Sequence, residues 1–283
     1  MKTNFLLKKS LTAIFCIALA ATSCNDDETL VNNESEEAQM SEFASTGENE
    51  SDDVLEVLDQ VEVSQSAKTA AKTNSMCAII TNDSENHILT IDFGEGCVGP
   101  YGRTRSGKIL IAYSGTLNDG VSNRIITFDN YVVNNKAVTG SIELRDITVN
   151  EDGTITSTKK LVGLTITFPN GESVSYTGSR TREWIEGVRD GDPNNNVFRL
   201  TGSVEGTWSN GRTFTHVIVE PIISNWGCAA EGGFARVSGV VEVKRLGGYV
   251  SRKRVTNYGD GTCDNSFTVT IGTRVFEITE VEG

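Results

Sequence analysis

Few residues of this 283-residue chain have side chains suited to chemistry: six cysteines, two histidines and three tryptophans, beside 38 acidic and 25 basic residues. His87 and His216 stand in unrelated strand-like contexts, so a serine or cysteine triad has little material to work with. Asp190-Gly-Asp-Pro-Asn-Asn-Asn196 places side-chain oxygens at Asp190, Asp192, Asn194 and Asn196, the alternation of a calcium loop. Asn195 replaces the sharp-turn glycine, however, and Thr201 stands where a bidentate Glu should close the site, so a solvated hairpin loop is the expected structure. Gly102-Arg-Thr-Arg-Ser-Gly-Lys108 matches the core of a phosphate-binding loop, but Ile109 follows the lysine and the segment then alternates as a strand. Glu183 and Glu186 beside Trp184 form the best local cluster for acid–base hydrolysis of glycosides, but a charged hairpin arm is the expected explanation of them. Trp184, Trp208 and Trp226 offer either a sugar-stacking platform or core filling.

The elements that must position these residues are strands. Beyond residue 76, alternation runs through Ile88–Phe93, Lys108–Tyr113, Val197–Thr201, Arg212–Glu220 and Ser266–Ile271. Hairpin signals separate such runs at Asp119-Gly120, Asn134-Asn135, Asp152-Gly153, Asn170-Gly171, Asn210-Gly211 and Gly247-Gly248. Glycine also recurs inside the strands, at Gly115, Gly140, Gly178, Gly202 and Gly239, each after a Ser or Thr. Interior glycine marks a bulge, a bend or a close backbone approach, and its repetition suits a strongly curved sheet. The expected fold is all-β: an antiparallel meander of about a dozen long curved strands over 76–283, either an open coiled sheet or barrel-like.

Four cysteines follow residue 76, and hairpin symmetry chooses among their three connectivities. Cys77 and Cys97 flank a turn near Asn82–Asn86, and Cys228 and Cys263 flank one near Gly247-Gly248. Disulfides Cys77–Cys97 and Cys228–Cys263 are expected, with free or metal-bound thiols as the alternative.

Lys2, Lys8 and Lys9 precede a short apolar run, Leu11–Ala21, too short to span a bilayer and shaped as a secretory signal. It ends Leu19-Ala20-Ala21-Thr22-Ser23-Cys24, which resembles the lipobox of bacterial lipoproteins. That resemblance implies cleavage after residue 23 and acylation of Cys24. Asp26, Asp27 and Glu28 then resemble the export signal of Bacteroidota lipoproteins sent to the outer face of the outer membrane. Further along, Ile91-Asp-Phe-Gly-Glu-Gly-Cys97 and Thr256-Asn-Tyr-Gly-Asp-Gly-Thr-Cys-Asp264 echo one another, and with the mid-strand glycines they resemble the uncharacterised β-rich lipoproteins of that group. The resemblance implies an address and brings no activity.

Residues 25–63 carry 14 acids and no Lys or Arg. Like charges repel and little apolar surface can be buried there, so residues 24–75 are expected to form a disordered, flexible acidic tether. One short helix is expected within it over 51–63, with Val54, Leu55, Leu58 and Val61 on one face and Ser51 as N-cap. The formal charge of -13 thus describes mainly the tether, and residues 64–283 are nearly neutral. Nucleic acid is excluded as a partner, since its affinity rests on Lys and Arg. The expectation is an outer-membrane, lipid-anchored binding or structural module without a cofactor, meeting the membrane through Cys24 and a glycan or another surface protein through its sheet. A carbohydrate-active hydrolase and an envelope carrier of an apolar ligand are the alternatives.

Overall fold

The computed structural model describes residues 45–61, 77–114, 123–246 and 253–279. Cys24, the acidic signal Asp26, Asp27 and Glu28, the linker 64–75, Gly115 and the turns Asp119-Gly120 and Gly247-Gly248 lie outside the described residues.

The fold is an antiparallel meander. Strands β1 (Ile79–Asp83) and β2 (Ile88–Asp92) form the first hairpin, and the short β3 (Cys97–Val98) pairs beside β2's neighbour β4 (Thr104–Tyr113). Then come β5 (Arg124–Val133), β6 (Lys136–Val149), β7 (Ile155–Thr167), β8 (Ser173–Glu186) and β9 (Val197–Trp208). The sheet continues through β10 (Thr213–Asn225), β11 (Arg236–Leu246), β12 (Lys253–Asp260), β13 (Ser266–Ile271) and β14 (Arg274–Thr279). Apart from β3, each strand pairs with its predecessor and successor, and β1 and β14 stand at the two edges, so the sheet is curved but not closed.

Mid-strand glycines supply the curvature. Gly140, Gly178, Gly202 and Gly239 all have positive φ. At Gly140 the register between β6 and β7 shifts, and a Cβ there would meet the Gly163 carbonyl oxygen at 2.2 Å. No side chain fits between these two backbones, so the bulge requires glycine.

Both expected disulfides are present, Cys77–Cys97 with Cα atoms 6.0 Å apart and Cys228–Cys263 with Cα atoms 5.3 Å apart. The second pins helix α2 (Trp226–Ala230), whose start is capped by Asn225 Oδ1 accepting from the Gly227 amide at 2.9 Å.

The interior of the sheet holds the largest departure from the sequence expectation. Helix α1 runs over 45–61, six residues earlier than the expected start, with Ser51 inside it and donating to the Glu48 carbonyl at 2.8 Å. It is no part of a tether. Val54, Leu55, Val57, Leu58 and Val61 are all buried in the main core with Leu89, Ile109, Ile142, Leu161, Tyr176 and Phe214 of the sheet. Glu48, Glu50, Asp53, Glu56 and Asp59 are buried as well. A helix covered nearly all round must bring its polar groups inside with it, and these must find partners there.

Candidate functional site

The partners come from the sheet. Along β8, Val174, Tyr176, Gly178, Arg180, Arg182 and Trp184 share the inward register, so two cations sit among core side chains by strand periodicity alone. Arg180 donates to Glu48 at 3.2 Å, and Arg182 pairs with Asp59. From other strands, Lys159 reaches Asp52 at 2.6 Å, Arg236 reaches Asp52 at 2.7 Å and Arg105 reaches Asp53 at 2.5 Å. Glu50 takes Arg103 and, at 3.1 Å, Lys136. Five sheet strands and the turn before β4 thus clamp one acidic helix.

Burial opposes ionisation of Glu48, but the charges of Arg180, Lys159 and Arg236 outweigh it and hold the carboxyl far below the usual range. Asp52 is lowered in the same way, with Lys159 and Arg236 overcoming its burial. His216 goes the other way. Burial, with Arg180 and Arg236 nearby, overcomes the attraction of Glu48 and pushes its pKa down to about 3, so the imidazole is neutral and Nδ1 accepts from Arg180. Two other helix carboxyls are raised: burial outweighs the charge of Arg182 at Asp59, and at Glu56 burial and the neighbouring Asp59 push the pKa up to about 8, against hydrogen bonds from Gln60 and Asn196.

Beside the first turns of α1 the packing leaves a cavity of about 340 Å³. Ser45, Thr46, Asn49, Glu50 and Asp52 line it from the helix, and Arg103, Asn134, Lys136 and Arg236 from the sheet and its turns. Its other lining residues include the aromatics Tyr101, Trp226, Phe234, Tyr258 and Phe267 beside small residues of the α2 region. Tyr101 and Trp226 pack with ring centroids 5.1 Å apart, and Phe267 lies 5.3 Å from Phe234 and 5.6 Å from Tyr258. Tyr101 adopts a left-handed backbone, φ 58° and ψ 27°, which is strained for an aromatic residue. Its hydroxyl is held 3.3 Å from Gln60 Nε2 and 3.5 Å from Glu56 Oε1. Trp226 is fixed by its amide, which donates to the Asn196 carbonyl at 3.0 Å.

The residues singled out from sequence are mostly dispersed. Asp190 accepts from the Asp192 amide and Asp192 from the Asn194 amide, so their oxygens build turns within the loop. Asn196 leaves that group, being buried and donating to Glu56 at 3.2 Å, and the loop serves to seat α2 and the helix. Trp184 and Trp226 join a small second core with Phe198, whereas Trp208 stacks on Phe214 in the main one, so the three tryptophans form no shared platform. Glu183 pairs with Arg199 at 3.0 Å, and Glu186 is exposed. Of the phosphate-loop-like segment, Arg103 and Arg105 are spent on the helix acids. His87 lies on the surface against Tyr113, far along the chain from the buried His216.

Sequence reading did not find the clamp or the cavity. A signal for the clamp existed in Arg180 and Arg182, basic residues in the inward register of an otherwise apolar strand face. No protein-family model, curated protein or solved structure matches this chain.

Proposed function

We propose that this chain is a lipid-anchored outer-membrane protein, held through Cys24, whose sheet domain is a non-enzymatic binding module for a glycan or another surface component. The observation that carries the reading is the filling of the concave face. Where an enzyme of this shape would open a cleft and a carrier an apolar trough, α1 occupies the space with its own apolar and ion-paired side chains. A carboxylate that lines the remaining cavity also argues for binding. Asp52 is held ionised by Lys159 and Arg236, so it does not supply the proton that glycoside hydrolysis draws from its general acid. Fixed donors, acceptors and aromatic surface in a recess of this size suit recognition.

The test has two arms. The wild-type chain should fractionate with outer membranes and Cys24→Ala with the soluble fraction. The purified chain should bind members of a glycan and surface-protein panel without turning over any of a matching panel of hydrolase substrates. Membrane retention of Cys24→Ala overturns the anchor, and turnover overturns the binding reading.

A further inference from the structure

The cavity beside α1 narrows the ligand class. Each charged side chain of its lining already has a partner of opposite sign: Glu50 has Arg103 and Lys136, and Asp52 has Arg236 and Lys159. A phosphate, sulfate or carboxylate entering there would have to compete with those internal carboxylates for cations already held in ion pairs, so a strongly charged ligand gains little. A fully apolar ligand fits no better, because it would bury Asn49, Asn134 and the charged groups against hydrocarbon without replacement hydrogen bonds. Planar amide, carboxylate and guanidinium groups beside aromatic rings satisfy both faces of one kind of molecule. A pyranose presents hydroxyl pairs at its rim and C–H groups on its ring faces.

We infer that this cavity is a binding site for an uncharged saccharide, with Tyr101, backed by Trp226, as the stacking ring and Asn49, Asn134 and the Glu50–Arg103 pair as hydroxyl partners. The inference rests on the binding-module reading and gives that module its ligand. Tyr101 is held rigidly in the cavity wall. Its backbone is held in a left-handed conformation while its hydroxyl is anchored to Gln60 and Glu56 from α1 and its ring to Trp226 from α2. Strain of this kind persists where surrounding structure imposes it, and here it fixes an aromatic ring in a cavity wall. The helix therefore does more than fill the sheet: it sets one wall of the recess and orients the ring in another.

The test is calorimetry and saturation-transfer NMR on the full-length chain in detergent, using cellobiose, lactose, chitobiose, mannobiose and xylobiose, with inorganic sulfate and a short-chain fatty acid as charged and apolar probes. At least one disaccharide should bind with Kd below about 1 mM, and Tyr101→Leu and Asn49→Ala should each weaken it by roughly tenfold or more. Unchanged far-ultraviolet circular dichroism and a retained thermal transition establish that both variants are folded. Because Asn49 is exposed, its variant keeps the test decisive if Tyr101→Leu does not fold. Binding that neither variant weakens, no disaccharide binding, or a preference for sulfate or fatty acid overturns the site assignment. Hydrolysis of a bound disaccharide would instead overturn the binding-module reading, and capture of a surface protein without saccharide binding would leave that reading standing while ending this one.

Discussion

Lys159 Nζ lies 2.6 Å from Asp52 Oδ1 and 2.6 Å from Ser51 Oγ, with the lysine side chain fully buried. A sheet lysine in the core would be costly alone, and the helix acid makes it tolerable. Breaking such a pair from one side leaves an uncompensated charge. Lys159→Met is expected to destabilise the chain by about 3–5 kcal/mol, and Lys159→Met with Asp52→Asn by less than the sum of the two single changes. Urea unfolding of the four proteins measures the coupling.

Acid should unfold this protein early. His216 keeps its proton off down to about pH 3 when folded but takes one near 6.5 when unfolded, so the unfolded state binds more protons in that window and stability falls as pH falls. Glu48 and Asp52, held low in the folded state, add their loss as pH drops through the ordinary carboxylate range. The slope contributed by His216 alone approaches about 1.4 kcal/mol per pH unit. His216→Gln should flatten the stability curve between pH 6.5 and 4.5, and a curve as steep as wild type would contradict the neutral assignment.

Glu56 acts in the opposite direction. Its carboxyl stays protonated to about pH 8 in the folded chain and ionises near 4.5 in the unfolded one, so its contribution is complete below pH 4.5 and lost as pH rises toward 8. Glu56→Gln removes that dependence and keeps partners for Gln60, Asn196 and Tyr101. The variant's advantage over wild type in chemical denaturation should grow from pH 5 to pH 8 and then level off.

Gly47→Ala sets helix propensity against packing. In an exposed helix the change stabilises by about 1 kcal/mol. Here a Cβ would fall 2.1 Å from the ring of Tyr176, itself buried edge-to-face against Phe214, so the expected outcome is a loss of about 1–3 kcal/mol. Tyr176→Leu in the same chain should recover part of that loss, as read by thermal unfolding.

The two disulfides close loops of 20 and 35 residues, for which chain entropy gives roughly 3 and 4 kcal/mol. Non-reducing peptide mapping should recover only the pairs Cys77–Cys97 and Cys228–Cys263. Replacing Cys228 and Cys263 by Ser should also loosen α2, seen as faster hydrogen exchange at Trp226 than in the Cys77 and Cys97 double variant.

Much of the sheet was legible in sequence because its signals are local. Alternation, turn dipeptides, bulge glycines such as Gly140 and the hairpin placement of four cysteines each concern residues close in the chain. The apolar face of α1 was legible for the same reason, through Val54, Leu55, Leu58 and Val61. Its burial was not. The acids of 45–61 read as mutually repelling until their counter-charges are found, and those are scattered over five strands and a turn between Arg103 and Arg236. The cavity is less legible still, since Asn49, Tyr101, Asn134 and Trp226 come from four separate segments with no shared period.

The clamp also dictates an order of events. Asp52 meets Arg236 across 184 residues of chain and Glu48 meets Arg180 across 132. Isolated, a short helix this rich in acids is marginal in water. The helix precedes every described strand in the chain yet completes its clamp only after β11 has formed, which puts it among the last of the described elements to be fixed. Contacts of such separation slow folding and prolong the exposure of unpaired strand edges. Until that helix seats, the sheet is a half-built shell with cations facing inward, and its maturation is timed by the seating of a segment that precedes every described strand.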